Sequence, residues 1–180
     1  MDIRLDGRAA LITGGSEGLG KGMAIRFAES GADVAILARR PDALEAARAE
    51  VDAAGSGKVI AISCDLLDAA ATTAAFDDAV AAFGKIDILV NNAGTSRAKA
   101  FETVTDDEWH EDIELKLMAA IRLCRAALPG MKERNWGRII NVLNIGAKAP
   151  RAGSAPTAVS RAAGLALTKV LAGDGAPHNV

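Results

Sequence analysis

The stretch from Thr13 to Gly20, TGGSEGLG, decides the fold predicted for this chain. It directly follows the apolar residues 9–12 and directly precedes a helical pattern in which Leu19, Met23 and Phe27 recur at i, i+4 and i+8. We therefore predict a buried strand, a glycine turn and a helix that packs through this face. Glycine lets the backbone approach an anion closely, and the N–H groups and dipole of a helix N-terminus attract negative charge. The turn is thus predicted to hold a phosphate group. The candidate binding residues in it are Gly14, Ser16, Glu17, Gly18, Leu19 and Gly20.

The composition indicates one domain with a sizeable core, spanning residues 1–180. The chain has 180 residues and a net charge of −2. Because there is no basic excess, the composition gives no indication of nucleic-acid binding. The charged N-terminus, MDIRLDGR, has no apolar signal core, and no apolar run is long enough to cross a bilayer. We therefore expect a cytoplasmic protein that does not contact a membrane.

The cysteines and histidines do not form a metal-binding pattern. Cys64 and Cys124 lie far apart without metal-ligand spacing, so we interpret both as buried thiols in a reducing compartment. His110 and His178 are isolated, and no metal site is predicted.

Strand-like and helix-like segments alternate along the chain. The strand candidates are apolar and rich in leucine or β-branched residues, as expected of strands covered on both faces, and comprise residues 9–13, 34–38, 59–63, 86–91 and 138–143. The helical stripes between them are Leu44, Ala47, Val51 and Ala54; Phe76, Val80 and Phe83; and residues 109–128, with Pro129-Gly130 after the last stripe. A final helix covers about residues 158–172. These repeated units predict an α/β fold, a doubly wound parallel sheet with helices on both faces.

In such a sheet, ligands bind beyond the carboxyl ends of the strands, so the strand-end residues are candidates for a site. Arg39 and Arg40 follow the second strand, where the adenosine ribose of a dinucleotide would lie. Arginine there pairs with the 2′-phosphate of NADP, whereas an acidic residue would bond the 2′-hydroxyl of NAD. Alternatively, Arg39 and Arg40 form a solvated basic turn that binds no cofactor. Glu17, a carboxylate in the glycine turn, would repel the phosphate and weaken an NADP preference.

The third and fourth strand ends carry acidic and amide groups. Asp65 either accepts a hydrogen bond from the adenine amino group or caps the helix that follows. Asn91 and Asn92 are two amides whose burial is costly unless they are hydrogen-bonded, so we expect them to tie neighbouring strands together. The predicted cofactor site therefore also contains Leu66, Asn92, Ala93 and Gly94.

Taken together, these motifs resemble the short-chain dehydrogenase/reductase family along the whole chain. Residues 13–20 match its T-G-x-x-x-G-x-G turn, residues 91–94 its N-N-A-G and residues 64–66 its adenine-contacting aspartate, while Arg39 matches its NADP-preferring members. The resemblance implies a Rossmann fold and a nicotinamide cofactor, NADP(H) or alternatively NAD(H). It also implies hydride transfer between the carbonyl and alcohol forms of a small molecule, and a homodimer or homotetramer.

The predicted catalytic positions depart from the family pattern. Asn144 stands at the family's serine, Thr157 at its tyrosine and Arg161 at its lysine. Lys116 stands at its asparagine, and the chain contains no tyrosine. A phenol with a pKa of about 10, lowered by a nearby cation, donates protons near neutral pH far better than an aliphatic hydroxyl. Lys116 is the predicted replacement acid, because burial beside Arg161 would lower its pKa.

Two hypotheses for the function follow. The first is an NADP-dependent oxidoreductase with a rewired site. In it Asn144 orients the carbonyl, Thr157 or Lys116 with water supplies the proton, and Arg161 holds the ribose. All four replacements are polar, which favours it. The second is a non-catalytic NADP-binding scaffold, which the missing tyrosine favours. The family pattern continues beyond residues 178–180, so the chain is expected to be a fragment or a truncated form that lacks half of the substrate pocket.

Overall fold

A single parallel sheet of five strands forms the centre of the molecule. A computed structural model describes residues 3–180, so Met1 and Asp2 of the charged N-terminal segment lie outside the described residues. The strands are β1 Ala9–Thr13, β2 Asp33–Ala38, β3 Val59–Ser63, β4 Ile88–Asn91 and β5 Arg138–Asn141. They lie in the order β3-β2-β1-β4-β5, and every neighbouring pair is parallel. The predicted α/β class and parallel sheet are therefore confirmed.

Helices alternate with the strands along the chain. They are α1 Gly18–Glu29, α2 Pro41–Asp52, α3 Ala69–Phe83, α4 Asp106–Ile113, α5 Ala119–Glu133 and α6 Thr157–Gly175. A π-helical turn, Glu114–Met118, joins α4 to α5, and short 3₁₀ turns cover Phe101–Thr103, Ile145–Ala147 and Ala176–His178.

The side-chain alternation of the central strands divides the core between the two faces of the sheet. Ala10 and Ile12 of β1 belong to one buried cluster, together with residues of α1 and α2. Leu11, between them, belongs to a second cluster built with α3 and α5. Because successive residues of a strand point to opposite faces, one apolar run supplies both layers.

The two edge strands are less buried than expected of strands covered on both faces. Along β5 exposed and half-buried residues alternate, and Ile140 is 41% exposed. Most of β3 is half-buried. The prediction of full cover is wrong for these strands because each has a neighbour on one side only. The fourth and fifth strands are also two residues shorter than predicted, since β4 begins at Ile88 and β5 ends at Asn141.

Helix α1 packs through only part of the predicted face. Leu19 is 63% exposed, whereas the fully buried residues are Gly20, Ala24 and Ala28. Met23 and Phe27 are half-buried and pack against the core, as predicted. The first turn of the helix lies so close to the end of β1 that a Cβ on Gly20 would collide with the Gly14 carbonyl oxygen.

The long helical segment also extends further than predicted. Residues 106–133 are helical without a break, and α5 continues through Pro129 to Glu133. Ala127 and Met131, on either side of the proline, are both buried. This packing holds the last turn in place although a proline removes one helical hydrogen bond.

Cys64 and Cys124 are free, buried thiols, and burial raises the pKa of the Cys124 thiol to about 11. Among residues 3–180, no group of three or more His, Cys, Asp or Glu side chains is arranged to hold a metal ion. Within the same range, no helix has the length and apolar character needed to cross a membrane.

Candidate active site

The glycine turn between β1 and α1 is folded so tightly that side chains are excluded from it. A Cβ on Gly20 would lie 2.1 Å from the carbonyl oxygen of Gly14. Gly14 has a φ of +67°, and a Cβ there would lie 3.0 Å from the Cα of Ala93. Both positions need glycine. Gly20 allows close approach of the backbone, and Gly14 allows both close approach and a positive φ.

The N-terminus of α1 is open to an anion. Its N-cap, Glu17, makes no side-chain capping hydrogen bond, and the first turn carries no acidic residue. The helix has 12 residues, enough for its dipole and its first N–H groups to attract negative charge. Together with the tight turn, this end of α1 fits the phosphate groups of a dinucleotide.

A buried hydroxyl fastens the turn to the end of β4. Thr13 Oγ1 donates to the Val90 carbonyl at 3.3 Å and accepts from the N–H groups of Asn92 and Ala93, each at 3.0 Å. The Asn92 amide in turn donates to the Thr13 carbonyl at 2.9 Å. On the other side of β4, the Asn91 amide donates to Asn141 Oδ1 at 2.9 Å. The expectation that both asparagines tie neighbouring strands together is therefore confirmed.

A cavity of about 420 Å³ opens at this edge of the sheet. The predicted cofactor residues that line it are Gly14, Ser16, Glu17, Arg39, Arg40, Leu66, Ala93 and Gly94. The predicted set of cofactor-binding residues did not contain the other lining residues, Leu37, Ala38, Cys64, Thr95 and Leu115. The remaining predicted residues, Gly18, Leu19, Gly20, Asp65 and Asn92, do not line the cavity. Gly20 and Asn92 instead shape the turn that borders it.

Glu17 and Arg40 form an ion pair at the mouth of this cavity. Arg40 Nη2 lies 2.9 Å from Glu17 Oε2, and both side chains are mostly exposed. The carboxylate is thus already paired with one of the two arginines. Arg39, the neighbouring exposed residue, also lines the cavity.

Asp65 does not cap the helix that follows it. The N-cap of α3 is Asp68, whose carboxylate accepts from the N–H groups of Ala70 at 2.8 Å and Ala71 at 3.0 Å. Asp65 instead accepts from the Leu67 N–H at 3.1 Å, within a tight turn. The capping alternative for Asp65 is therefore wrong, because the helix begins three residues later than that alternative requires.

A second group of polar side chains lies beside the sheet edge and is fully enclosed. Lys116 Nζ donates to Thr157 Oγ1 at 3.1 Å and forms an ion pair with Asp112. Ser160 Oγ donates to the other carboxylate oxygen of Asp112 at 2.6 Å. We call these four residues, Asp112, Lys116, Thr157 and Ser160, the polar cluster. None of them is more than 7% exposed.

The π-helical turn carries Lys116 into this cluster. Burial lowers the pKa of the Lys116 ammonium, Asp112 opposes this effect, and the positive charges of Arg161 and Arg97 add to it. The expected direction is thus confirmed, with burial as the main cause. Sequence reasoning missed Asp112, although its spacing of four residues from Lys116 is that of a helical ion pair.

The other two predicted catalytic residues lie nearby but outside the polar cluster. Arg161 donates to the Val142 carbonyl at 2.8 Å, and a Cβ on Gly94 would lie 2.4 Å from its Nη2. Asn144 is exposed and lies between the end of β5 at Asn141 and the 3₁₀ turn that begins at Ile145. The structure therefore brings Lys116 and Thr157 into contact, places Arg161 against Gly94, and leaves Asn144 at the surface.

The chain belongs to the short chain dehydrogenase family, whose model matches residues 8–180. It is similar to D-beta-hydroxybutyrate dehydrogenase of Cupriavidus necator, with 42% identity over 139 residues that cover 77% of this chain and 53% of that protein. In fold it matches L-sorbose reductase of Gluconobacter frateurii, solved with NADPH and L-sorbose, with a TM-score of 0.95 and 34% identity over 99% of this chain and 68% of that one.

A xylitol dehydrogenase solved with NAD⁺ has a TM-score of 0.91 and 31% identity over 97% of this chain and 67% of that one. These likenesses confirm the Rossmann-type fold. The chain spans about half to two thirds of the length of the curated relatives it matches.

The tight contact at Gly20 gives a direct test of the turn. We expect Gly20→Ala to lower the free energy of unfolding by about 1–3 kcal/mol, since the added methyl group would collide with a backbone oxygen. Gly22→Ala on the same helix is the matched control, because a Cβ there meets nothing within 4 Å. It should stabilise the helix by up to about 1 kcal/mol. Urea denaturation of both variants measures the difference, and equal stabilities would contradict the described turn.

Proposed function

We propose that this protein is an NADP(H)-dependent oxidoreductase that interconverts a carbonyl and an alcohol with a rewired catalytic site. The observation that carries the proposal is the glycine turn with the open N-terminus of α1 beside a cavity that also contains two arginines. Membership of the short chain dehydrogenase family and likeness to NADPH-bound and NAD⁺-bound proteins support a nicotinamide cofactor.

In this proposal the cofactor lies along the carboxyl edge of the sheet. Its phosphates contact the turn at Gly14 and Ser16, and its adenosine occupies the cavity beside Leu66. Arg39 pairs with the 2′-phosphate, since this residue lines the cavity and Glu17 is paired with Arg40 instead. This arrangement supports NADP(H) over NAD(H) through Arg39, while Glu17 occupies Arg40 and weakens the preference.

The polar cluster supplies the acid–base chemistry in this proposal. A nicotinamide cofactor, when bound, supplies or accepts the hydride, so the protein's own residues must orient the carbonyl and deliver a proton. Asn144 donates a hydrogen bond to the carbonyl oxygen. Lys116 is the acid, and the Thr157 hydroxyl that it contacts passes the proton on. Arg161, beside Gly94, holds the ribose.

One observation favours a second candidate, a non-catalytic NADP-binding scaffold. The Lys116 side chain is 0% exposed, and the Thr157 hydroxyl oxygen already accepts hydrogen bonds from Lys116 and from the Arg97 N–H. A cluster this enclosed also suits a purely structural role. In either case we propose a cytoplasmic protein that assembles as a homodimer or homotetramer.

Arg39→Ala tests the choice of cofactor. We expect it to weaken NADPH binding about tenfold, because a charge-assisted contact to the 2′-phosphate is lost. NADH affinity should not change, since NADH lacks that phosphate. Arg125→Ala, an exposed arginine on α5, is the control and should leave both affinities unaltered. Fluorescence titration with each cofactor measures the effect, and an unchanged NADPH affinity in Arg39→Ala would remove the proposed role of Arg39.

Glu17→Gln tests whether the ion pair restrains NADP binding. Removal of the carboxylate frees Arg40 and abolishes repulsion of the phosphate, so NADPH should bind about fivefold more tightly at low salt. The gain should shrink at high salt and be absent for NADH. Glu29→Gln is the matched control, since Glu29 pairs with Arg26 at the opposite end of the same helix. A Glu17→Gln protein that binds NADPH no better than this control contradicts the prediction.

Turnover separates the two candidate functions. We expect NADPH consumption with members of a panel of ketones and acyl thioesters, and loss of at least about a hundredfold in rate in Lys116→Met, since general acid catalysis contributes that much. NADPH affinity should persist in this variant. Lys148→Met, which alters an exposed lysine, should keep full activity. Confirmed NADPH binding without turnover on any substrate of the panel would instead establish the scaffold.

A further inference from the structure

Asp112 is a buried carboxylate, and both of its oxygens have partners. It does not belong to the glycine turn, so binding of the cofactor phosphates does not explain its presence. One oxygen is paired with Lys116 Nζ and the other accepts from Ser160 Oγ at 2.6 Å. The carboxylate is 1% exposed and the lysine side chain 0%. A buried charge is tolerated only where a partner compensates for lost hydration, so the two residues depend on each other.

We infer that Asp112 is a positioning residue that keeps Lys116 charged and directs its ammonium group at the Thr157 hydroxyl. The contacts form a chain from Ser160 through Asp112 and Lys116 to Thr157, with 3.1 Å between Lys116 Nζ and Thr157 Oγ1. The role of Asp112 in catalysis rests on the proposed function, whereas its effect on the charge of Lys116 does not.

The charges around Lys116 explain why a carboxylate is needed there. Arg97 approaches from the loop after β4 and Arg161 from α6, and both disfavour a third positive charge. Thr157 and Ser160, also from α6, contribute neutral hydroxyls. Asp112, from α4, is the negative charge that acts against the two arginines. Arg97 is itself held by a two-point contact to Glu111, at 2.5 and 2.7 Å.

The sign of the effect follows from these charges. Burial and the arginines lower the pKa of Lys116, and Asp112 raises it. Replacement of Asp112 by a neutral residue therefore lowers this pKa further. The ammonium form, which is present below the pKa, is then lost at a lower pH as the pH rises.

Asp112→Asn tests the inference without any need for activity. In protein labelled with ¹³C at the lysine Cε, the Lys116 signal is assigned by its absence from Lys116→Met, and its chemical shift is followed against pH. We expect the titration midpoint to move to lower pH in Asp112→Asn. Glu111→Gln is the matched control, because Glu111 precedes Asp112 on α4 but contacts Arg97 instead, and its midpoint should stay closer to that of the unmodified protein. A midpoint in Asp112→Asn that does not differ from this control would overturn the inference.

Folding is monitored separately. If Asp112→Asn does not fold, the double variant Asp112→Asn/Lys116→Met should, because the uncompensated charge is gone. A double variant that also remains unfolded would contradict the inference.

The pH dependence of turnover then relates the pair to the reaction. In an active protein, the high-pH limit of NADPH-dependent reduction should move to lower pH in Asp112→Asn and stay in place in Glu111→Gln. NADPH affinity near neutral pH should be equal in all three proteins. Absence of turnover in the unmodified protein would reject the proposed function alone, since the lysine titration still decides the role of Asp112.

Discussion

The contact between Gly20 and the carbonyl oxygen of Gly14 is the constraint on which the rest of this molecule depends. It sets how closely α1 approaches the end of β1, and therefore which residues of α1 can face the sheet. It also points the open end of α1 at the cavity. The hydroxyl of Thr13 then fixes the neighbouring strand to the same point. Backbone geometry, more than any charged side chain, defines this edge of the sheet.

The fold could be predicted from the sequence because its signals are local. The run at residues 9–12 and the glycine turn after it specify a strand and a helix start, and β1 has the predicted bounds. Periodicity predicted the packing face of α1 only in part, since Met23 and Phe27 pack against the core but Leu19, which has the right spacing, is exposed. The capping alternative for Asp65 likewise depended on where α3 begins, and the helix is capped by Asp68 instead.

The polar cluster was harder to predict because its members come from distant parts of the sequence. Lys116 and Thr157 are 41 positions apart and meet only through the packing of α6 against the π-helical turn. Asp112 could have been found from its helical spacing to Lys116, but only if burial of that face had been known. In isolation, such a pair resembles the exposed ion pairs that many helices carry, which contribute little to stability.

At the mouth of the cavity, the Glu17 carboxylate would compete with a bound phosphate for Arg40. In the proposed site, a phosphate that reaches Arg40 does not meet a bare cation but replaces a carboxylate that is already there. Any contact of the phosphate with Arg40, in addition to Arg39, is then an exchange of one anion for another, and the released Glu17 must be rehydrated close to the new negative charge. The free protein and its complex would each contain a satisfied arginine. The preference for one cofactor thus depends on the difference in free energy between the free protein and its complex. The number of arginines in the cavity does not give this difference.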